Sequence, residues 1–180
     1  MHHQADALAP QLAVDRATAL SEDDLDQLCE AAAAAIIEGG GFGWVKPQPR
    51  GVLETHFRGV LLVPERALFL ARLDGLVVGS AQLIRPPRNN EAQAFAASLA
   101  HAFVAPYARG HGLARLLIAR AEEYAAATGV KVLNLDLRET QSAAIALYEG
   151  LGYQCWGRHP AYALVNGEVV AGRAYFKRLR

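Results

Sequence analysis

The chain has 180 residues, enough for one domain with a buried core. It is 52% hydrophobic and 20% charged, and its 18 Lys and Arg balance 18 Asp and Glu. That neutrality argues against a dedicated nucleic-acid or membrane-surface binder, because both partners reward a basic excess. In chain order, Met1 to Asp6 lacks the basic, apolar, small-residue succession of a signal peptide, and residues 1–10 are expected to be flexible. Leu12 to Ala19 reads as a first strand. Ser21, followed three residues later by Asp24, opens a helix, with acidic Glu22, Asp23 and Asp24 suited to its positive end. This helix runs to about Glu38, where Gly39-Gly40-Gly41 stops it. Its run Ala31 to Ile37 is too short to span a bilayer. Cys29 and Cys155 are too few for a disulfide framework and lack metal-ligand spacing. A cytoplasmic protein with reduced thiols and no bound metal is the expectation.

Gly39 to Pro49, rich in glycine and carrying Phe42 and Trp44, reads as a loop whose aromatics need a surface. Gly51 to Leu62 is expected to be a second helix. Ala67 to Leu73 and Leu76 to Ile84 form a hairpin about Asp74-Gly75. The loop Arg85 to Asn90 follows, then a strand from Ala94 to Val104 that Pro106 ends. Leu113, Leu116, Leu117, Ala121 and Tyr124 have helical spacing in Leu113 to Thr128, closed by Gly129. Val130 to Leu137 is an alternating strand, with Val132, Asn134, Asp136 and Arg138 on one face and leucines on the other. Ser142 to Leu151 is a short helix. Tyr153 to Arg158, Tyr162 to Val165 and Arg173 to Leu179 are the last strands, with a turn at Asn166-Gly167. No repeat or linker divides the chain, so residues 1–180 read as one α+β domain.

Phe103 to Ala114 is a strand, a basic glycine-containing turn and a helix start. Free N–H groups at a helix start attract anions, glycine admits a close approach, and Arg109 and Arg115 add charge. The turn is neither a P-loop nor a dinucleotide-binding fingerprint. Arg109-Gly110-His111-Gly112-Leu113-Ala114 resembles the signature of the GCN5-related N-acetyltransferase (GNAT) superfamily, Arg/Gln-x-x-Gly-x-Gly/Ala. Leu135 to Tyr153 looks like the closing block of that superfamily, a strand followed by Asn-x-x-Ala-x-x-Leu-Tyr and Gly-Phe/Tyr, with Gln141 in place of the Asn. More weakly, Gly40 to Gly43, Pro86 to Asn89 and Pro160 to Tyr162 are similar to tabtoxin-resistance-type acetyltransferases.

The resemblance implies a mixed, mostly antiparallel sheet flanked by helices, with a splayed strand pair that holds acetyl-CoA as co-substrate. Gly110, His111, Gly112, Leu113, Ala114 and Arg115, with Arg109, would clasp the pyrophosphate. Ala102, Phe103 and Val104 would pair with pantetheine, near Gln141 and Tyr148. Direct transfer to a small-molecule amine would use Tyr148 as general acid, and neither cysteine as nucleophile. Asp136 and His101 compete as general base. The bland reading of Asp136 is an ion pair with Arg138, and that of Tyr148 is simple packing. Ser98 stands where tabtoxin-type relatives carry a glutamate. Phe42, Trp44 and Tyr162 are candidates for the acceptor wall, with Glu54 and His56 on the neighbouring helix. A protein or peptide N-terminal acetyltransferase, or a CoA-binding regulatory module without catalysis, are the rival readings. A homodimer is compatible with the resemblance.

Overall fold

The computed structural model describes residues 9–180. Of the stretch 1–10 expected to be flexible, all but Ala9 and Pro10 lies outside the described residues. In chain order the elements are β1 (Leu12–Ala17), α1 (Glu22–Ile37), α2 (Arg50–Leu61), β2 (Arg66–Leu73), β3 (Leu76–Ile84), β4 (Ala96–Val104), α3 (Leu113–Ala127), β5 (Val132–Arg138), α4 (Ser142–Gly150), β6 (Gln154–Val165) and β7 (Glu168–Arg178). The seven strands form one sheet in the order β1-β2-β3-β4-β5-β7-β6. No helix among the described residues is long and apolar enough to cross a membrane.

Local chemistry accounts for most boundaries. The Ser21 hydroxyl accepts the Asp24 N–H at 3.1 Å and caps α1. Asp74 and Gly75, at φ 50° and 84°, both take the positive φ that a tight hairpin turn demands, and Asn166 and Gly167 repeat this at 52° and 86°. Leu25, Leu28, Ala32 and Ile36 of α1 pack with Phe57 of α2 on one sheet face. Leu117, Ile118, Ala121 and Ala125 of α3 pack with Tyr148 of α4 on the other.

Three expectations need correction. The two short strands expected across Tyr153 to Val165 are one strand, β6, with register shifts at Cys155/Gly157 and His159/Ala163. Pro160 does not break it because β6 is the sheet edge, where an absent N–H removes no ladder bond. The partner β7 accordingly starts at Glu168, not Arg173. A short 3₁₀ turn, Glu91–Gln93, also precedes β4 and delays its start to Ala96.

Every neighbouring pair is antiparallel except β4 and β5, which run parallel and are joined through α3. That parallel pair is short: only Ala96–Val132, Ala97–Leu133 and Ser98–Asn134 face each other, and beyond them the strands part. The cause sits on the other edge of β4. Ser80 faces Phe103 while Gln82 faces Ala100, so β4 carries an extra residue there. His101 takes up this bulge at φ 51°, a conformation uncommon outside glycine. Gly79 permits the resulting close approach, since a Cβ there would overlap the Phe103 carbonyl oxygen. Gly79→Ala is therefore expected to destabilise the fold by about 1–3 kcal/mol, the usual range for overpacking, read from the urea midpoint.

Candidate active site in the split of the sheet

Where β4 and β5 part, a cavity of about 610 Å³ opens, lined on the strands by Ser98 to Ala102 and Asn134 to Arg138. Gly41, Phe42, Gly43 and Val45 of the loop before α2 form another wall, and Trp156, Tyr162, Ala163 and Leu164 of β6 face it. Tyr148 and Gln141, with Ala174 and Tyr175 of β7, complete the lining. Main-chain groups of β4 that turn toward β5 beyond Ser98 have no strand partner, so an extended chain bearing amides could pair with them.

The glycine loop is tied across the open end of this split. Arg138 Nη2 donates to the carbonyls of Gly39 (2.8 Å) and Phe42 (3.2 Å). Gln141 Nε2 donates to Gly39 as well, at 3.1 Å. Glycine is required at Gly41, where φ is 77° and a Cβ would lie 2.8 Å from that of Phe103. Phe42 is buried and stacks on His101 at 5.4 Å between ring centroids.

Behind this wall lies a polar chain. Arg66 Nη1 donates to Gln82 Oε1 at 2.9 Å, which turns the Gln82 amide N–H toward His56 Nε2 at 3.2 Å. His56 Nε2 is then the acceptor and its proton resides on Nδ1. Burial, reinforced by His101 and Arg66, pushes His56 down to about 4. Burial and then Arg66 hold His101 below its ordinary value, partly offset by a hydrogen bond to the Gly41 backbone. Both imidazoles are neutral at pH 7.

Across the cleft, the Tyr162 hydroxyl donates to Asp136 Oδ1. Burial, then this bond, push the phenol up to about 12. The Tyr162 ring occupies the space above Gly172 of β7, where any Cβ would collide with it. Tyr148 packs edge-on against Tyr153 at 5.3 Å, and burial pushes its phenol up to about 12.

At the open end, Gly110 and Gly112 take φ 85° and 78° and lead into α3. The N–H groups of the first turn of α3 have no intrahelical partners, as an anion site requires. Arg109 is not a free charge in this turn: its Nε donates to Val104 O at 3.2 Å and its Nη1 pairs with Glu38 at 2.9 Å. His111 Nδ1 lies 3.1 Å from the Ala108 carbonyl oxygen.

The structure thus brings Asp136, His101, Ala102, Gln141, Tyr148, Phe42 and Tyr162 to one cleft, with Ser98 at its closed end. Trp44 does not line it, contrary to expectation; it stacks on Phe42 from behind, at 5.6 Å. Phe103 and Val104 bury their side chains in opposite cores, leaving only their backbones for an extended ligand. The expected alternative of an Asp136–Arg138 ion pair is not formed, since each is engaged elsewhere. Glu54 pairs with Arg50, away from the cleft. Trp156, 68% exposed on the cleft rim, escaped the sequence reading because nothing in its neighbours marks an edge strand as a wall.

The neutral histidines carry a stability signature. An imidazole depressed in the folded state binds fewer protons than the unfolded chain, so stability is lost as pH falls from 6.5 toward 4. Chemical denaturation at stepped pH should show this loss, and His56→Gln, whose carbonyl can still accept from Gln82, should reduce it to the share of His101.

Residues 34–153 match the model of the acetyltransferase (GNAT) family. The chain is 59% identical over 128 residues to the "uncharacterized N-acetyltransferase in hisH-hisA intergenic region" of Azospirillum brasilense, covering 71% of this chain and 76% of that protein. Among solved structures, a ribosomal-protein-alanine N-acetyltransferase from Brucella melitensis superposes with TM-score 0.78 at 23% identity, over 93% of this chain and 99% of that one. A phosphinothricin acetyltransferase from Sinorhizobium meliloti, in complex with acetyl-CoA, gives 0.77 at 20%, over 93% and 88%. Two neighbours so alike in score but named for such different acceptors show that the fold alone does not choose the acceptor. With the split sheet, the glycine turn before α3 and the family match in agreement, this chain belongs to the GNAT acetyltransferase family.

Proposed function

We propose that the protein transfers the acetyl group of acetyl-CoA directly to the amine of a small molecule. The observation that carries this reading is the parting of β4 and β5 after three paired residues, with an anion-suited turn at one end and Tyr148 beside the opening. The pyrophosphate would lie on the N–H groups of Gly110 to Ala114, assisted by Arg115. The pantetheine arm would pair with the free edge of β4 near Ala102, placing the thioester near Tyr148.

Transfer then needs three things: a deprotonated amine, stabilisation of the charge that develops on the carbonyl oxygen, and a proton donor for the departing sulfur. Asp136 is anchored by Tyr162 at the cleft wall, where it docks an ammonium group and accepts its proton, directly or through water. His101, neutral and stacked on Phe42, shapes the opposite wall. The elevated Tyr148 phenol stays protonated at neutral pH and donates to the sulfur. Dry surroundings also raise the basicity of the leaving thiolate, which keeps donor and acceptor matched. The amine nitrogen forms the new C–N bond, the C–S bond breaks, and one proton leaves through Asp136 while another reaches CoA through Tyr148.

Acetyl-CoA should raise the melting temperature, since a ligand of the native state alone stabilises it. No shift at saturating concentration would overturn the reading. In a thiol-release assay over amino acids, polyamines, aminoglycosides and peptides, turnover confined to peptides would overturn the small-molecule acceptor. With a working acceptor, Asp136→Asn should lower kcat/KM by about 10²- to 10⁴-fold. Tyr148→Phe should lower kcat while leaving the acetyl-CoA affinity nearly unchanged; an unaltered kcat would assign the proton to another group.

A further inference from the structure

Arg138 is the one charged side chain in the buried class among the described residues, at 7% exposure. A buried charge is costly unless paired, and in folded proteins it is ordinarily met by a carboxylate. Among the described residues Arg138 has none within 4.0 Å. Nor is a carboxylate nearby left over to serve. Glu139 holds Arg158 and Arg173, Glu38 holds Arg109, and Glu149 accepts from Tyr175, while Asp136 turns to the neutral Tyr162 hydroxyl and keeps its charge without reaching Arg138.

The hydrogen bonds of Arg138 are also incomplete. Both of its bonds leave from Nη2, to Gly39 and Phe42. Its Nε and Nη1 make none among the described residues, yet neither is among the fully enclosed, unpaired atoms. They therefore have access to solvent, and Arg138 is part of the cleft lining. A guanidinium cannot relieve such a site by losing its proton. Two neutral carbonyls hold it in place without neutralising it.

Resting on the acetyl-transfer reading, we propose that Arg138 holds an acidic group of the acceptor, which is therefore an amine that also carries a carboxylate, as an amino acid does. Asp136 and Arg138 alternate on the same face of β5, so their Cα atoms stand about 7 Å apart. Both groups line one cleft without meeting, so a dipolar molecule can set its ammonium on Asp136 and its carboxylate on Arg138 through charge-assisted hydrogen bonds. The Phe42 carbonyl that fixes the guanidinium belongs to the same loop that walls the cleft, so the subsite is built into the wall.

The test compares amino acids with their own carboxamides, both as acceptors in thiol release and as ligands of the CoA-saturated protein by calorimetry. The amine of a carboxamide is less basic and less protonated at neutral pH, so without an anion subsite it is the better acceptor. The expected result is a preference for the carboxylate of tenfold or more in kcat/KM and in binding. Equal or reversed preference, or no binding of either partner, overturns the proposal. Arg138→Gln should bring the ratio toward one. If Arg138 only pins the glycine loop, the variant lowers both members of a pair equally and the ratio stays, which also overturns it. The acetyl-transfer reading fails separately, by an absent acetyl-CoA melting shift.

Discussion

The site depends on a single failure of pairing. A parallel strand pair normally continues as long as its strands do, because each unpaired buried N–H or C=O is costly. Here β4 and β5 separate after Ser98 and Asn134. An extra residue at His101 twists β4 away, and the missing side chain of Gly79 lets the neighbouring strand take the bulge. A positive φ at a non-glycine residue costs of order 1–3 kcal/mol and persists where surrounding structure over-determines it. Phe42 stacked on the His101 ring is part of that surrounding structure. The strain maintains an open edge inside a sheet, which an amide-bearing cofactor arm can complete.

The second element of the design is the strap of Gly39 to Phe42. It is secured through its carbonyls by Arg138 and Gln141 of β5 and the segment after it, while Glu38 just before it holds Arg109 beyond β4. One short segment thus ties together the two lips of the split. Gln141, where the family pattern has asparagine, finds a role here as a donor to this strap. The same strap forms a wall of the cleft, so the cleft and the turn before α3 share a support.

The electrostatic character of the cleft is divided between its walls. On the β4 side, burial and the Arg66–Gln82 chain keep His56 and His101 uncharged. On the β5 side a carboxylate and a guanidinium stand two residues apart without meeting. A neutral aromatic wall opposite a dipolar one suits an acceptor that carries both signs of charge.

The sequence by itself determined the elements and the family. Helix caps, glycine stops and positive-φ turn pairs act within a few residues, so Ser21, Asp74-Gly75 and Gly112 were legible where they stand. The turn at Arg109 to Ala114 and the block ending in Tyr148 were legible too, because local backbone geometry fixes their spacing. Only the tertiary structure decided how side chains distant in sequence share partners. Asp136 and Arg138 look like a pair along one strand, yet Tyr162 from β6 takes the first and the carbonyls before α2 take the second. Trp44 looks like a wall residue, but Phe42 stands between it and the cleft. Tyr153 to Arg158 and Tyr162 to Val165 look like two strands, and only the place of β6 at the sheet edge lets one strand run through Pro160. These outcomes depend on which long-range neighbour competes best for a hydrogen bond or a surface, and that competition exists only once the chain has closed on itself.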